Sequence, residues 1–401
     1  MKPHGYLAAL TSAILVFISV PVHAQTDAAF FDPSVVHDVF LRMNSRDLDT
    51  LRATFTANTY YPADLQVGTT TVRNVAVRSR GNGSRNGVKP GLRVDLNYFV
   101  SDQAFAGQTA FVLDNMAQDA SMIREQAAMA LYARMGQPAP RLSYARLFIN
   151  NEYQGVYQLI EEPNERFVDS RFPDDNGYLF EYHWRAPYYM DDLGDDLGTY
   201  EALFEPRTHE HGAPEVLFGP IRDLLRVDPG EDLVGWRTRV ASSLDLEQLV
   251  SSAAVEIFES ELDGLTGYDG TNNFYLYRRA DDGRHVIVPW DRDNAFEQAD
   301  SSIYQRVNEN RLLRQALAFS DLHALFLNQL EACARFSAED GWLEQVVANA
   351  AALIEAPSRA DSRKPYSDEQ HAADVEALLA FARQRSASVL EQVAQARRTI
   401  R

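Results

Sequence analysis

Alternating apolar and polar positions dominate the first third of the chain. Asp38-Val39-Phe40-Leu41 is a short apolar run, and Val72 to Val77 is β-branched and partly alternating, so both read as strands. Leu92-Arg93-Val94-Asp95-Leu96 alternates apolar and charged residues, as a half-buried strand does. Between them lies a glycine-rich loop, Arg80-Gly81-Asn82-Gly83-Ser84-Arg85-Asn86-Gly87. The period then changes. Ile123, Ala127, Ala130, Leu131 and Arg134 follow helical spacing, which predicts a helix over 119–135. Asp119-Ala120-Ser121 caps it, and Gly136 and Pro138 end it. Two strands follow, Ser143 to Ile149 and Gly155 to Ile160, joined by the hairpin loop Asn150-Asn151-Glu152-Tyr153-Gln154. Glu161-Glu162-Pro163 reads as a crossover.

Beyond residue 240 the spacing is helical, over Leu246 to Leu262, 311–336, 341–355 and 368–397. One short hairpin interrupts it. Asn272-Asn273-Phe274-Tyr275-Leu276-Tyr277 leads to a turn at Asp281-Asp282-Gly283, then to Val286-Ile287-Val288-Pro289-Trp290-Asp291-Arg292-Asp293. The first strand starts at an amide pair. The second ends at two carboxylates flanking an arginine. Asp263-Gly264 closes the helical run before it. An acid, an amide and a strand that delivers a carboxylate are how kinase-type sites gather a base and Mg²⁺ ligands. The order of elements predicts an α+β protein, sheet-rich first and helix-rich after.

Composition adds boundaries. The 401 residues are 45% hydrophobic and 24% charged, ordinary for a globular chain, and the length suggests at least two lobes or domains. Residues 1–24 read as a signal peptide. Met1-Lys2-Pro3-His4 is weakly basic, Leu7 to Val22 is apolar, and Val22-His23-Ala24 suits cleavage near Ala24. Thr11, Ser12, Ser19 and Pro21 argue against a span there, and the sequence offers no other, so no stable membrane insertion is expected. The mature protein is expected to be secreted or periplasmic. Cys333 is the single cysteine, which rules out an intrachain disulfide, and its helical surroundings mark it as core. The net charge of −19 disfavours nucleic acid and anionic membranes and suits a basic protein partner. Asp191 to Asp196 lacks EF-hand spacing, and His209-Glu210-His211 offers too few ligands for zinc, so both read as solvated loop. No Gly-x-Ser-x-Gly elbow or His-Glu-x-x-His helix is present, which removes the common hydrolase classes.

Taken in order, these motifs resemble the CotH family, the spore-coat-type secreted protein kinases with an atypical kinase fold. The matching blocks are Arg80 to Arg85 with Lys89 to Asp95, Asp119 to Arg124, Phe148 to Tyr157, Asp263-Gly264, Asn272 to Tyr277 and Pro289 to Asp293. The resemblance implies a two-lobed kinase-like fold, with 25–162 as N-lobe and 163–401 as C-lobe holding a catalytic hairpin over 263–293. It implies transfer of the γ-phosphate of ATP to a Ser or Thr hydroxyl of a protein. The family's catalytic aspartate falls on Asp263, because Ala254-Val255-Glu256 through Asp263-Gly264 matches without a gap. The metal-binding aspartate falls on Asp291, and the amide between them on Asn273.

There is one departure. Asn273 follows Asp263 by ten residues, where a protein-kinase loop has five. Asp269-Gly270 lies in the added stretch, so Asp269 is an alternative base. Asn273 and Asp291 would hold Mg²⁺, or Mn²⁺ in its place, with Asp293 as a further ligand or a support. Lys89, Arg80 or Arg93 would contact the nucleotide phosphates, Glu161 would line the nucleotide pocket, and Glu125 would pair with Lys89. Two alternatives stay open: nucleotidyl transfer from the same site, and a binding or structural module without catalysis.

Overall fold

Seven strands close into a barrel: β1 (Val36–Met43), β2 (Tyr61–Val67), β3 (Thr70–Arg80), β4 (Gly91–Asp95), β5 (Ala110–Asp114), β6 (Leu142–Ile149) and β7 (Glu152–Glu161). Their order is β1-β2-β3-β4-β5-β7-β6. The computed structural model describes residues 26–399 apart from 174, 175, 229 and 231. The expected leader, 1–24, lies outside the described residues. The barrel closes through the parallel pairing of β1 with β6, from Val36 opposite Tyr144 to Leu41 opposite Ile149. Alternation along each strand sends one set of side chains inward, and Val39, Leu41, Leu65, Val77, Val94 and Leu147 fill the interior. The β6–β7 turn is tighter than its sequence pattern predicts. It is the two residues Asn150 and Asn151, at φ +52° and +68°, because asparagine tolerates the left-handed region that a two-residue hairpin needs.

A second sheet has the order β11-β10-β8-β9. It holds β8 (Tyr178–Tyr182), β9 (Phe204–Pro206), β10 (Phe274–Arg278) and β11 (His285–Pro289). β10 and β11 are the expected hairpin. The helix expected over 119–135 begins only at Arg124. Before it, the Asp119 carboxylate accepts hydrogen bonds from the Ser121 and Arg124 backbones at 2.9 Å, forming a turn ahead of the first helical residue. The later helical stretches are Leu246–Glu259, Arg311–Ala316, Ser320–Ala338, Trp342–Ala360 and Asp368–Thr399. The protein is therefore α+β. A second core joins Val112, Tyr144 and Ile160, outside the barrel interior, to the helix Arg124–Arg134 and the helices that follow. Cys333 lies in this core, and burial pushes its thiol pKa up. No described helix is long and apolar enough to cross a membrane.

A buried ion pair fastens the barrel to the helical part. Asp361, just past the helix Trp342–Ala360, accepts from Lys89 Nζ at 2.8 Å and from the Val156 backbone at 3.1 Å. Lys89 is only 1% exposed. Gly155, at φ +120°, makes the approach possible: a Cβ there would lie 2.3 Å from the Asp361 carboxylate. Lys89 thus pairs with Asp361 and not with Glu125, a correction that local sequence could not supply. Removing one member of such a pair leaves the other charge buried, so Lys89→Met should cost about 3–5 kcal/mol. Urea unfolding checks this, and an unchanged midpoint would refute it.

Candidate functional site

The hairpin register sets the site. β10 and β11 pair from Arg278 opposite His285 to Phe274 opposite Pro289, so Asn273 and Trp290 stand just past the last pair. The Trp290 N–H donates to the Asn273 carbonyl at 3.2 Å. Asn273 has φ +53° and the next residue along the other strand, Asp291, has φ +52°. Left-handed backbone at two non-glycine residues costs on the order of 1–3 kcal/mol each and concentrates at functional sites. Here it turns both side chains into one cavity of about 220 Å³. The glycine-rich loop forms one wall with Asn82, Gly83 and Ser84. Asp263, Asp269, Asn272, Asn273, Asp291 and Asp293 form another.

Asp263 is fixed by amides. The Nδ2 groups of Asn272 and Asn273 both donate to its Oδ2, each at 3.1 Å. Asp269 also lines the cavity but is exposed. Behind the loop, Glu256 accepts from the Leu265 and Thr266 backbones at 2.9 Å. Its Oε2 lies 3.2 Å from Arg292 Nη1, and neither side chain meets solvent. Arg292 stands between Asp291 and Asp293, so this one pair ties the Asp263 loop to the strand end that carries both acids. Gly264 leaves the room for it. A Cβ there would sit 2.3 Å from Glu256 Oε2 and 2.4 Å from Arg292 Nη1. Gly264→Ala should therefore lower stability by about 1–3 kcal/mol. It should also displace Asp263 from its amide partners, which the Asn272 and Asn273 side-chain NMR signals would report.

Four carboxylates cluster at one end of the cavity, where Asp291 and Asp293 line it and Asp114 and Glu125 lie beside them without lining it. Asp114 ends β5, Glu125 lies in the first turn of the helix Arg124–Arg134, and Asp291 and Asp293 end the hairpin. Burial and then the neighbouring Asp114 push the Asp291 carboxyl up to about 7, against the pull of Arg80. Burial, Asp291 and Asp114 likewise raise Glu125 and Asp293 well above the usual carboxylate range. Glu125 is buried within the field of Asp291 and Asp114, away from Lys89, whose ammonium Asp361 takes. The donors are hard oxygens throughout, carboxylates with the Asn273 amide beside them. That set fits Mg²⁺ or Mn²⁺, and a divalent cation would reverse the upward shifts.

The structure separates the other candidates. Arg80 does not line the cavity, but its field reaches Asp114, Glu125 and Asp291. Its guanidinium lies 4.6 Å over the Trp290 ring and bonds Glu181 at 2.9 Å. Lys89 and Arg93 do not line the cavity. Arg93 is held by Glu162 at 2.6 Å and Asp95 at 2.7 Å. Glu161 is bonded to Arg141 and Arg171 and does not line the cavity either. The neighbouring Glu162 takes Arg93 and Arg207; burial pushes it up, but these arginines hold it down at about 2. Asp114 was missed from sequence, although it closes the apolar run Ala110 to Leu113 just as Asp291 closes its own strand.

A family model described as CotH kinase protein matches residues 77–389. The chain belongs to the CotH family. The CotH match runs from within β3 into the helix Asp368–Thr399 and includes all four acids of the cavity end. Inner spore coat protein H of Bacillus subtilis (strain 168) is similar to this CotH chain, at 22% identity over 255 residues. The alignment covers 63% of this chain and 67% of that protein.

Proposed function

We propose that this chain is a CotH-type protein kinase that moves the γ-phosphate of ATP to a Ser or Thr hydroxyl of a protein. One observation carries the reading: Asp263, held by two asparagine amides, shares a cavity with Asp291 and Asp293 beside a glycine-rich loop. Asp263 orients the acceptor hydroxyl and takes its proton. Its amide bonds favour it over the exposed Asp269. Asn273 and Asp291 hold the cation, with Asp293 in support. When bound, Mg²⁺ or Mn²⁺ neutralises charge on the phosphates. Arg80, already beside Asp291, is the best placed of the three cations for the nucleotide. In this reading 25–162 form an N-lobe around the barrel and 163–401 a C-lobe. The chain acts outside the cytoplasm on a basic substrate, after cleavage near Ala24.

The test is incubation of residues 25–401 with γ-³²P-ATP, Mg²⁺ or Mn²⁺ and a basic acceptor protein. Losing a positioned base should cut transfer by about 10²–10⁴-fold in Asp263→Ala, with Asp269→Ala near wild type. The opposite result moves the base to Asp269. Label arriving from α-³²P-ATP instead would mean nucleotidyl transfer, and absence of any ATP binding would refute the enzyme.

A further inference from the structure

A second cluster of metal-type ligands lies outside the cavity. β8 and β9 are antiparallel, with Glu181 opposite Glu205. His183 comes two residues after Glu181, so the pleat carries all three side chains to one face. The ladder still holds at this end, where the His183 N–H donates to the Leu203 carbonyl at 2.7 Å. One ligand atom from each of Glu181, His183 and Glu205 lies within 4.8 Å of the others.

Two arginines hold the carboxylates. Arg80 Nη2 holds Glu181 Oε1 at 2.9 Å, and Arg207 Nη1 holds Glu205 Oε1 at 3.4 Å. Glu205 Oε2 lies 2.6 Å from His183 Nε2. Among the described residues, Glu181 Oε2 approaches Arg207 Nε at 3.9 Å, too far for a hydrogen bond. Outer partners that fix ligating carboxylates in this way are the usual support of a metal site.

We propose that Glu181, His183 and Glu205 bind a divalent transition cation of the zinc class, separately from the cation position at Asp291. The imidazole decides the class, since nitrogen ligands favour Zn²⁺ and Co²⁺ over Mg²⁺. The His183–Glu205 hydrogen bond must open for both atoms to reach bonding distances of about 2.0–2.2 Å from one cation. His183 precedes Trp184, which lines the cavity and donates its indole N–H to the Asp269 carbonyl at 2.7 Å. A cation here stiffens that wall without entering the cavity.

Co²⁺ titration of the full chain, followed by its visible absorption, tests this. The expected result is one equivalent bound and displaced by Zn²⁺, unchanged in Asp291→Asn and in the control His209→Gln. Affinity should fall at least tenfold in His183→Gln and, separately, in Glu205→Gln. Both side chains are partly exposed, at 34% and 51%, so neither change should unfold the protein. Far-UV circular dichroism verifies that. Binding that survives both changes, that disappears only in Asp291→Asn, or that never reaches one equivalent overturns the proposal.

Discussion

Asp291→Asn should abolish Mg²⁺-dependent ATP binding while raising the melting temperature of the metal-free protein. The two effects have one cause. Burial and Asp114 raise the Asp291 carboxyl from 3.8 to about 7. Below pH 3.8 it is protonated in both folded and unfolded chains and has no effect. As pH rises from there to about 7, the unfolded chain ionises while the folded one resists, so stability falls; above about 7 the whole penalty applies. Because Asp291 opens on the cavity, solvent screening leaves a gain of only about 1–2 kcal/mol for the asparagine at pH 8. Cation binding needs the ionised form, so Mg²⁺ affinity in the wild type should drop up to about tenfold per pH unit below 7. Calorimetric ATP titration and thermal unfolding at pH 6 and 8, with and without Mg²⁺, measure both effects. Mg²⁺-dependent ATP binding that persists in the variant would remove Asp291 from the cation site.

Arg292→Met should be the most damaging single substitution for folding. Arg292 is fully buried, and its field bears on Glu256, Glu259 and Glu261. Even with that cation present, burial pushes Glu261 up to about 8. Neither carboxylate oxygen of Glu259 accepts a hydrogen bond among the described residues, and burial raises its pKa well above the usual range. Without the guanidinium, three buried acids share one pocket, and a loss of about 3–5 kcal/mol follows. Raised carboxyls cost stability as pH climbs through their pKa values, so the damage should be smaller at pH 5 than at pH 8. Adding Glu256→Gln should recover part of it, since contacting residues are not additive. Equal midpoints for wild type and Arg292→Met in urea would refute this account.

Much of the site was legible in the chain. The hairpin announced itself through a short apolar run, an Asp-Gly turn and polar ends, and the family resemblance placed Asp263, Asn273 and Asp291 before any geometry joined them. What was hidden depends on distance along the chain. Alternation says which face of a strand is buried but not which strand lies beside it, so the parallel closure of β1 on β6 left no local trace. β8 and β9, at five and three residues, are too short to show a period. The acids at Asp114 and Glu125 join the site only through the register of β5 and the seat of one helix. Lys89 looked like a phosphate ligand because lysine near a glycine-rich loop is common, whereas its partner lies 272 residues away.

That last separation bears on the order in which the molecule can be completed. A chain made or delivered from its N-terminus presents every strand of the barrel before Asp361 exists. Until then the barrel carries an ammonium group that must remain hydrated or leave its strands partly open. The barrel therefore cannot mature as a finished module with the rest appended. Its last charge is neutralised from outside, late, and by the same turn that leads into the final helix, so completion of the first-made part waits on nearly the whole of the last.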